Sequence, residues 1–194
     1  MESLMKGISR KIIIVLIIII FINFLRNYFI VSKIISNSKI ELSKEEYMVN
    51  SKNYKDGKLI IEIDYYKKGS NKYQKITRDI DGKIMVIENY YTDNINKSIV
   101  KDENGNVVEE KNIESMNTDY YMPFKGKILV SIFSLIYKEK LNDREIYRII
   151  TFKDNYCIDC ETGLMNTVMI NGQMINYEYN FEDNIDENIW RELF

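Results

Sequence analysis

Two hydrophobic regimes divide the chain. Ile12 to Leu25 is an unbroken run of fourteen uncharged residues that follows Arg10 and Lys11. From Leu59 onward, apolar and polar residues alternate with a period of two. The first pattern has no polar face, so it is poorly suited to a surface helix of a globular domain. A bilayer-spanning helix needs roughly 20 residues. Continuing the run through "RNYFIV" to Val31 includes only Arg26, which at a helix end can snorkel to the headgroups. Tyr28 and Phe29 suit the interface. A transmembrane helix from about Ile12 to Ile30 is therefore expected. Two rivals are a cleaved signal peptide and a buried helix of a soluble fold. No small-x-small cleavage site follows the run, which continues Asn23, Phe24, Leu25, Arg26. The basic residues before the run orient it with the bulk of the chain outside.

The alternating region predicts hairpins. In "KLIIEIDYYKK", Leu59, Ile61, Ile63 and Tyr65 share one face, with Glu62 and Asp64 on the other. "KYQKITRDI" and "KIMVIENYY" are joined by Asp81-Gly82, a tight-hairpin signal, and Asn104-Gly105 punctuates the next pair. After the only proline, Pro123, the positions Leu129, Ile132, Phe133 and Ile136 fall on one helical stripe. A helix over 123–140 is expected. Strands then return, with Asn171-Gly172 as a further turn and Ile175, Tyr177, Tyr179 and Phe181 alternating in the last strand. About eight antiparallel strands and one helix result. The organisation predicted is a cytoplasmic start and transmembrane signal anchor at 1–31, a helical or extended linker packing on the domain at 32–54, and a β domain at 55–194.

Charge sharpens this division. The net charge is −2, yet residues 1–35 carry Lys6, Arg10, Lys11, Arg26 and Lys33 against Glu2 alone, so the remainder is acidic. A basic apolar head on an acidic body fits an anchor bearing an extracytoplasmic domain, and the balance gives no field for nucleic acid. Histidine is absent, which excludes Ser-His-Asp and Cys-His catalysis and removes the commonest zinc ligand. The carboxylates are scattered, with Asp119, Asp154, Asp159 and Glu161 reading as acidic turns. No catalytic residue, metal or cofactor is expected.

The two cysteines, Cys157 and Cys160, stand in "NYCIDCETGL". A redox pair would open a helix, and a zinc site would need a second pair of ligands. Asp159 to Gly163 reads instead as a turn with Gly163 at positive φ. Three readings stay open for the cysteines: incidental residues of a hairpin, a disulfide in an oxidising space, and metal or redox chemistry.

The same stretch carries a resemblance. "YCIDCETGL", the hairpin "VMINGQMINYEYNF" and "NIDENIW" are similar, in that order, to the closing part of LolA-like lipoprotein-carrier domains. The matching positions are Ile158, Asp159, Thr162, Gly163, Leu164, Tyr177, Tyr179, Asp186 and Trp190, and "DYYKKGSNKYQKI" and "DGKIMVIENYYTDN" resemble the early strands. The resemblance covers roughly residues 40–194 and implies an α+β fold: a strongly bent, mostly antiparallel sheet, a half-open barrel, with a covering helix. Its apolar concave face would hold an acyl chain, a lipoprotein or a hydrophobic peptide. Here the lining would come from Ile61, Ile63, Tyr65, Val86, Tyr90, Leu129, Ile132, Phe133, Ile136, Tyr177 and Tyr179. At the lid-facing segment this chain has Lys67 or Lys68 where the well-known carriers have Arg, and its tether makes shuttling a poor fit. A single-pass membrane protein with an extracytoplasmic binding domain is the resulting expectation. Its alternative is an envelope interaction protein with a filled core and no small ligand.

Overall fold

The computed structural model describes residues 2–80, 82–93, 95–115, 127–141 and 143–181. One long helix, α1 (Glu2–Leu42), precedes six strands: β1 (Glu46–Lys55), β2 (Lys58–Lys68), β3 (Asn71–Ile80), β4 (Lys83–Tyr91), β5 (Asn96–Lys101) and β6 (Val107–Asn112). A short helix, α2 (Lys127–Phe133), leads into β7 (Leu135–Leu141), β8 (Arg144–Ile150), β9 (Asp154–Asp159), β10 (Met165–Ile170) and β11 (Gln173–Phe181).

The eleven strands form one sheet in the order β6-β5-β4-β3-β2-β1-β11-β10-β9-β8-β7, and every pairing is antiparallel. Two meanders are thus joined by their end strands. The first runs outward from β1 to β6, and the second runs inward from β7 to β11. The join is long, with nine residue pairs from Tyr47–Phe181 to Lys55–Gln173. The sheet is open, its outer strands being β6 and β7.

α1 has two halves with opposite surroundings. Ile12 to Ile22 lie largely exposed, with the apolar side chains between 50% and 64% accessible. Asn27, Val31, Ile34 and Ser38 are at most 1% accessible. Their spacing of i, i+4, i+7 and i+11 is one helical stripe. That stripe lies on the second meander, where Val31 and Ile34 pack with Ile136, Tyr147, Ile149, Ile158, Cys160, Met165 and Val168. A second cluster follows under the end of α1, with Tyr47, Val49 and Tyr65 packed against Leu42 of the helix and against Tyr177, Tyr179 and Phe181 of the neighbouring β11. The sheet face that carries both clusters is the helix face.

The segment 32–54, read as a linker, splits at the end of α1. Ser43 and Lys44 donate backbone hydrogen bonds to the Ile40 and Glu41 carbonyls and close the helix. Then β1 enters the middle of the sheet, with Tyr47, Val49 and Ser51 buried on the helix face. Its turn to β2 is Asp56-Gly57, both at positive φ (52° and 74°), the combination a tight hairpin turn requires.

One expected element is corrected. The helix predicted over 123–140 stops at Phe133, and residues 135–141 form β7. In "LIYKEKL" the helical stripe ends and a period-two pattern begins, with Ile136 buried between exposed or half-exposed neighbours. Seven paired residues with β8, from Leu135–Ile150 to Leu141–Arg144, satisfy the inward side of its backbone. Pro123, proposed to start that helix, lies outside the described residues.

Candidate ligand-binding face

Register decides which of the predicted lining residues meet. Directly paired residues in an antiparallel sheet project to the same face. Ser51 pairs with Tyr177 on one side and Ile63 on the other; Ile63 pairs with Ile76, Ile76 with Ile87, and Ile87 with Val100. This row crosses six strands on the helix face, about 24 Å at the usual strand spacing. Its apolar members are partly buried rather than closed over. A polar row lies beside it, from Tyr179 through Val49, Tyr65, Gln74 and Asn89 to Ser98.

The polar row is internally organised. The Asn89 side-chain amide donates to Gln74 Oε1 at 3.0 Å. Gln74 is only 4% accessible, and its Nε2 has no hydrogen-bond partner. A buried amide nitrogen without an acceptor is costly in a sheet that has no need of it. It faces the same surface as the isoleucine row.

The predicted candidates divide into three groups. Ile61, Ile63, Tyr65, Tyr177 and Tyr179 share the helix face. Val86 and Tyr90 do not, because Val86 pairs with Thr77 and Tyr90 with Tyr73, one residue out of step with Ile76 and Ile87. A shift of one residue reverses the face. Tyr90 instead packs against Tyr73, with ring centroids 5.0 Å apart, and Tyr73 against Tyr66 at 5.8 Å. Leu129, Ile132 and Phe133 lie on the exposed side of α2, away from the sheet row, at 64%, 43% and 54% accessible, while Ile136 is buried beneath α1. Ile76, Ile87 and Val100 were not among the candidates. The Asp81-Gly82 dipeptide in the sequence is the signal that could find the first two, since Ile80 pairs with Lys83 and Ile76 with Ile87.

The aromatic end of this face is closed by α1 and by lysines. The Tyr47 ring lies 5.8 Å from Tyr65 and 6.1 Å from Phe181, and Tyr177, Tyr179 and Phe181 stack along β11. Lys44 sits 4.4 Å over the Phe181 ring. Lys67 lies 5.2 Å from the Tyr47 centroid and donates to the Lys44 carbonyl at 2.6 Å. Burial raises the Tyr47 phenol above its ordinary range and pushes Tyr177 up to about 12. These hydroxyls are neutral hydrogen-bonding groups at physiological pH, not bases.

The cysteine stretch is a strand and a docking turn. Cys157 and Cys160 are free, buried thiols. Cys160 belongs to the core under α1. Cys157 pairs with Arg148, whose guanidinium binds Glu139 on the opposite face. Burial raises both thiols, only partly offset by Arg148 beside Cys157 and Lys138 beside Cys160. Asp159 builds the turn, its Oδ1 accepting from the Glu161 and Thr162 amides at 2.9 and 2.8 Å and from Thr162 Oγ1 at 2.9 Å. The turn then meets α1, where Asn37 Nδ2 donates to the Glu161 carbonyl at 2.6 Å. Among the described residues, no group of three or more Cys, Asp or Glu is placed to hold a metal ion.

Two clefts flank the helices. One of about 840 Å³ lies beside the second half of α1, and its charges are largely self-paired, as in Lys44–Glu41 and Lys138–Glu145. The other, of about 400 Å³, is apolar and lies between α2 and the β8–β9 loop, lined by Leu129, Phe133, Ser134 and Phe152.

No family model matches the chain, and no curated protein matches it. Among solved structures, PNGF-II in the P21 space group aligns over 77% of this chain at 12% identity and a TM-score of 0.32. PNGF-II in the C2 space group aligns over 74% at 10% identity and a TM-score of 0.31. The chain spans 30% and 29% of the length of the PNGF-II chain in those two structures.

Proposed function

We propose that this chain is a membrane-anchored, extracytoplasmic binding module that holds an acyl chain or hydrophobic peptide on the helix face of its sheet, in the manner of LolA-like lipoprotein-carrier domains. α1 contains one stretch, Lys11–Leu42, long and apolar enough to cross a membrane. The basic start orients the sheet to the outside. In this reading the open sheet curls into a half-barrel. α1 covers the part formed by the second meander and leaves the Ile63–Ile76–Ile87–Val100 row of the first as the binding strip.

The observation that carries the reading is that row, an apolar track flanked by the buried Gln74 amide. An acyl chain would lie along the track, and a carbonyl at its head would accept from Gln74 Nε2. Ligand sites commonly pair a long apolar lining with a few placed polar groups.

A diazirine-bearing fatty acid, presented to the full chain in bilayer nanodiscs, tests this. Crosslinks at Ile61, Ile63, Ile76 or Ile87, competed by unlabelled fatty acid and lost in Ile76→Asp, are expected. Labelling confined to residues 12–25, with the sheet unlabelled, would reject it.

The second reading, an envelope interaction protein without a small ligand, has one observation in its favour. α1 fills the helix face over the second meander with side chains at most 2% accessible, including Val31, Ile34, Ile136, Ile149 and Ile158. The same crosslinking experiment separates the two.

A further inference from the structure

α2 has its polarity reversed. Ser131 is fully buried against α1, while Ile128, Leu129, Ile132 and Phe133 are between 43% and 64% accessible. A helix packed on a water-soluble domain normally turns such residues inward. Leu135, just beyond it, is 62% accessible, and Phe152 in the β8–β9 loop is 88% accessible, with its ring 6.2 Å from Phe133. Leu129, Phe133 and Phe152, from two separate segments, line one apolar cleft with the exposed Lys153, and Ile128, Ile132 and Leu135 are exposed beside them in the sequence.

The position of the patch identifies what covers it. α2 is fastened to α1 at Asn27, whose Nδ2 donates to the Ser131 and Ser134 carbonyls at 3.2 and 3.0 Å. Arg26 donates to the Ile136 carbonyl at 3.1 Å. These contacts begin where the exposed apolar run of α1 ends. Ile12 to Leu25 span about 21 Å of helix, against a hydrocarbon core of about 30 Å. The missing length corresponds to the turns after Leu25, and there α1 is already enclosed by protein on its Asn27–Val31 side. A bilayer that covers the apolar run must therefore reach the level of α2.

We propose that the outward face of α2, with Phe152, is a lipid-docking surface that seats the domain on the outer leaflet, Lys153 reaching the headgroup phosphates. The inference rests on the reading of α1 as a membrane anchor. Aromatic residues favour the interfacial zone, and lysine beside them suits anionic headgroups. Docking would also fix the orientation of the sheet, placing the second meander and α1 nearest the lipid.

The test uses the full chain in nanodiscs with Trp190→Phe, which removes the single native tryptophan, and one new tryptophan at a time. Phe152→Trp and Phe133→Trp are expected to lose most of their emission to phosphatidylcholine brominated high on the acyl chain, and less to lipid brominated at the chain end. Val108→Trp, on the far edge strand β6 and 63% accessible, serves as the unquenched control. Ile18→Trp reports the anchor. Quenching at Ile18 without quenching at Phe152 or Phe133 overturns docking and leaves the anchor standing. No quenching at any position overturns both. Blue-shifted but unquenched emission at Phe152 overturns lipid docking in favour of a protein cover.

Discussion

Gly163 and Ile34 meet backbone to backbone. A β-carbon on Gly163 would fall within contact distance of the Ile34 carbonyl oxygen and 2.9 Å from the Ser38 amide nitrogen, and the glycine sits at φ +71°. The turn after β9 thus lies directly on α1, with Asn37 bonded across the join. Neither backbone can give way cheaply, because one is helical and the other is fixed by Asp159.

Gly163→Ala should therefore destabilise the domain by more than the roughly 1–2 kcal/mol of a left-handed non-glycine residue, since a steric term is added. Gly172, at φ +77° with open space around it, is the control. Gly172→Ala carries only the conformational cost. Denaturant midpoints should rank wild type above Gly172→Ala above Gly163→Ala. Equal losses would mean that the contact with α1 contributes nothing.

α1 is also expected to be part of the folding unit rather than a detachable leash. Ile34 is 1% accessible inside the main cluster. Ile34→Ala should cost about 2–5 kcal/mol, whereas Ile17→Ala, at a 59% accessible position, should leave the sheet intact. A chain beginning at residue 43 should expose the apolar face of the second meander and aggregate. One beginning at residue 24 should retain the sheet by circular dichroism and melt cooperatively. A stable, monomeric product from the shorter chain would contradict this packing.

Asn27 ties the two helices together by serving the carbonyls at the end of α2. Its removal leaves those carbonyls in a site that is itself fully buried. Asn27→Ala should cost about 1–3 kcal/mol, and amides of residues 128–135 should exchange faster before those of β9 or β10. Uniform acceleration across the sheet would show instead that α2 is not a separate local unit.

How much of this could be read from the residues varies by element. The hairpins declared themselves, because alternation and the turns at Asn104-Gly105 and Asn171-Gly172 agree. The equivalent signal at Asp56-Gly57 was just as clear, and with it β1 follows. Val49 and Ser51, flanked by Asn50 and Lys52, give a weak hydrophobic pattern, so burial of β1 becomes evident only when it pairs on both sides. β7 was hidden differently. Leu129, Ile132, Phe133 and Ile136 fit a helical stripe that tertiary pairing with β8 cuts short at Phe133. The face of Val86 and Tyr90 was fixed by register arithmetic, not composition. That α1 both leaves the globule and enters its core could not be seen, since Val31 and Ile34, which are buried, are as apolar as the exposed Ile12–Ile22 run.

The cysteines provide a chemical check on the turn. Burial raises both thiols, so less thiolate is present at neutral pH than on an exposed cysteine. Maleimide or iodoacetamide should modify the native chain at pH 7.4 much more slowly than the denatured chain, with Cys157 and Cys160 both becoming reactive on unfolding. Rapid stoichiometric labelling of either residue in the native state would show that the strand or the turn opens readily.

Alkaline titration tests the aromatic end of the candidate face. Burial pushes the Tyr177 phenol up to about 12, and burial with the neighbouring Asp154 does the same for Tyr156, against an ordinary value of 10.0. In the unfolded chain both groups ionise near the ordinary value, so between pH 10 and 12 the unfolded state has released protons that the native state retains. Stability is then fully present below about pH 10 and falls as pH rises toward 12. Phenolate absorbance should show a lagging class of tyrosines whose ionisation coincides with loss of the sheet. In Tyr177→Phe one member of that class is gone, and the decline over this window should be shallower. If all fifteen tyrosines ionised together near pH 10 with the sheet intact, the enclosure of Tyr177 between β1, β10 and α1 would be wrong.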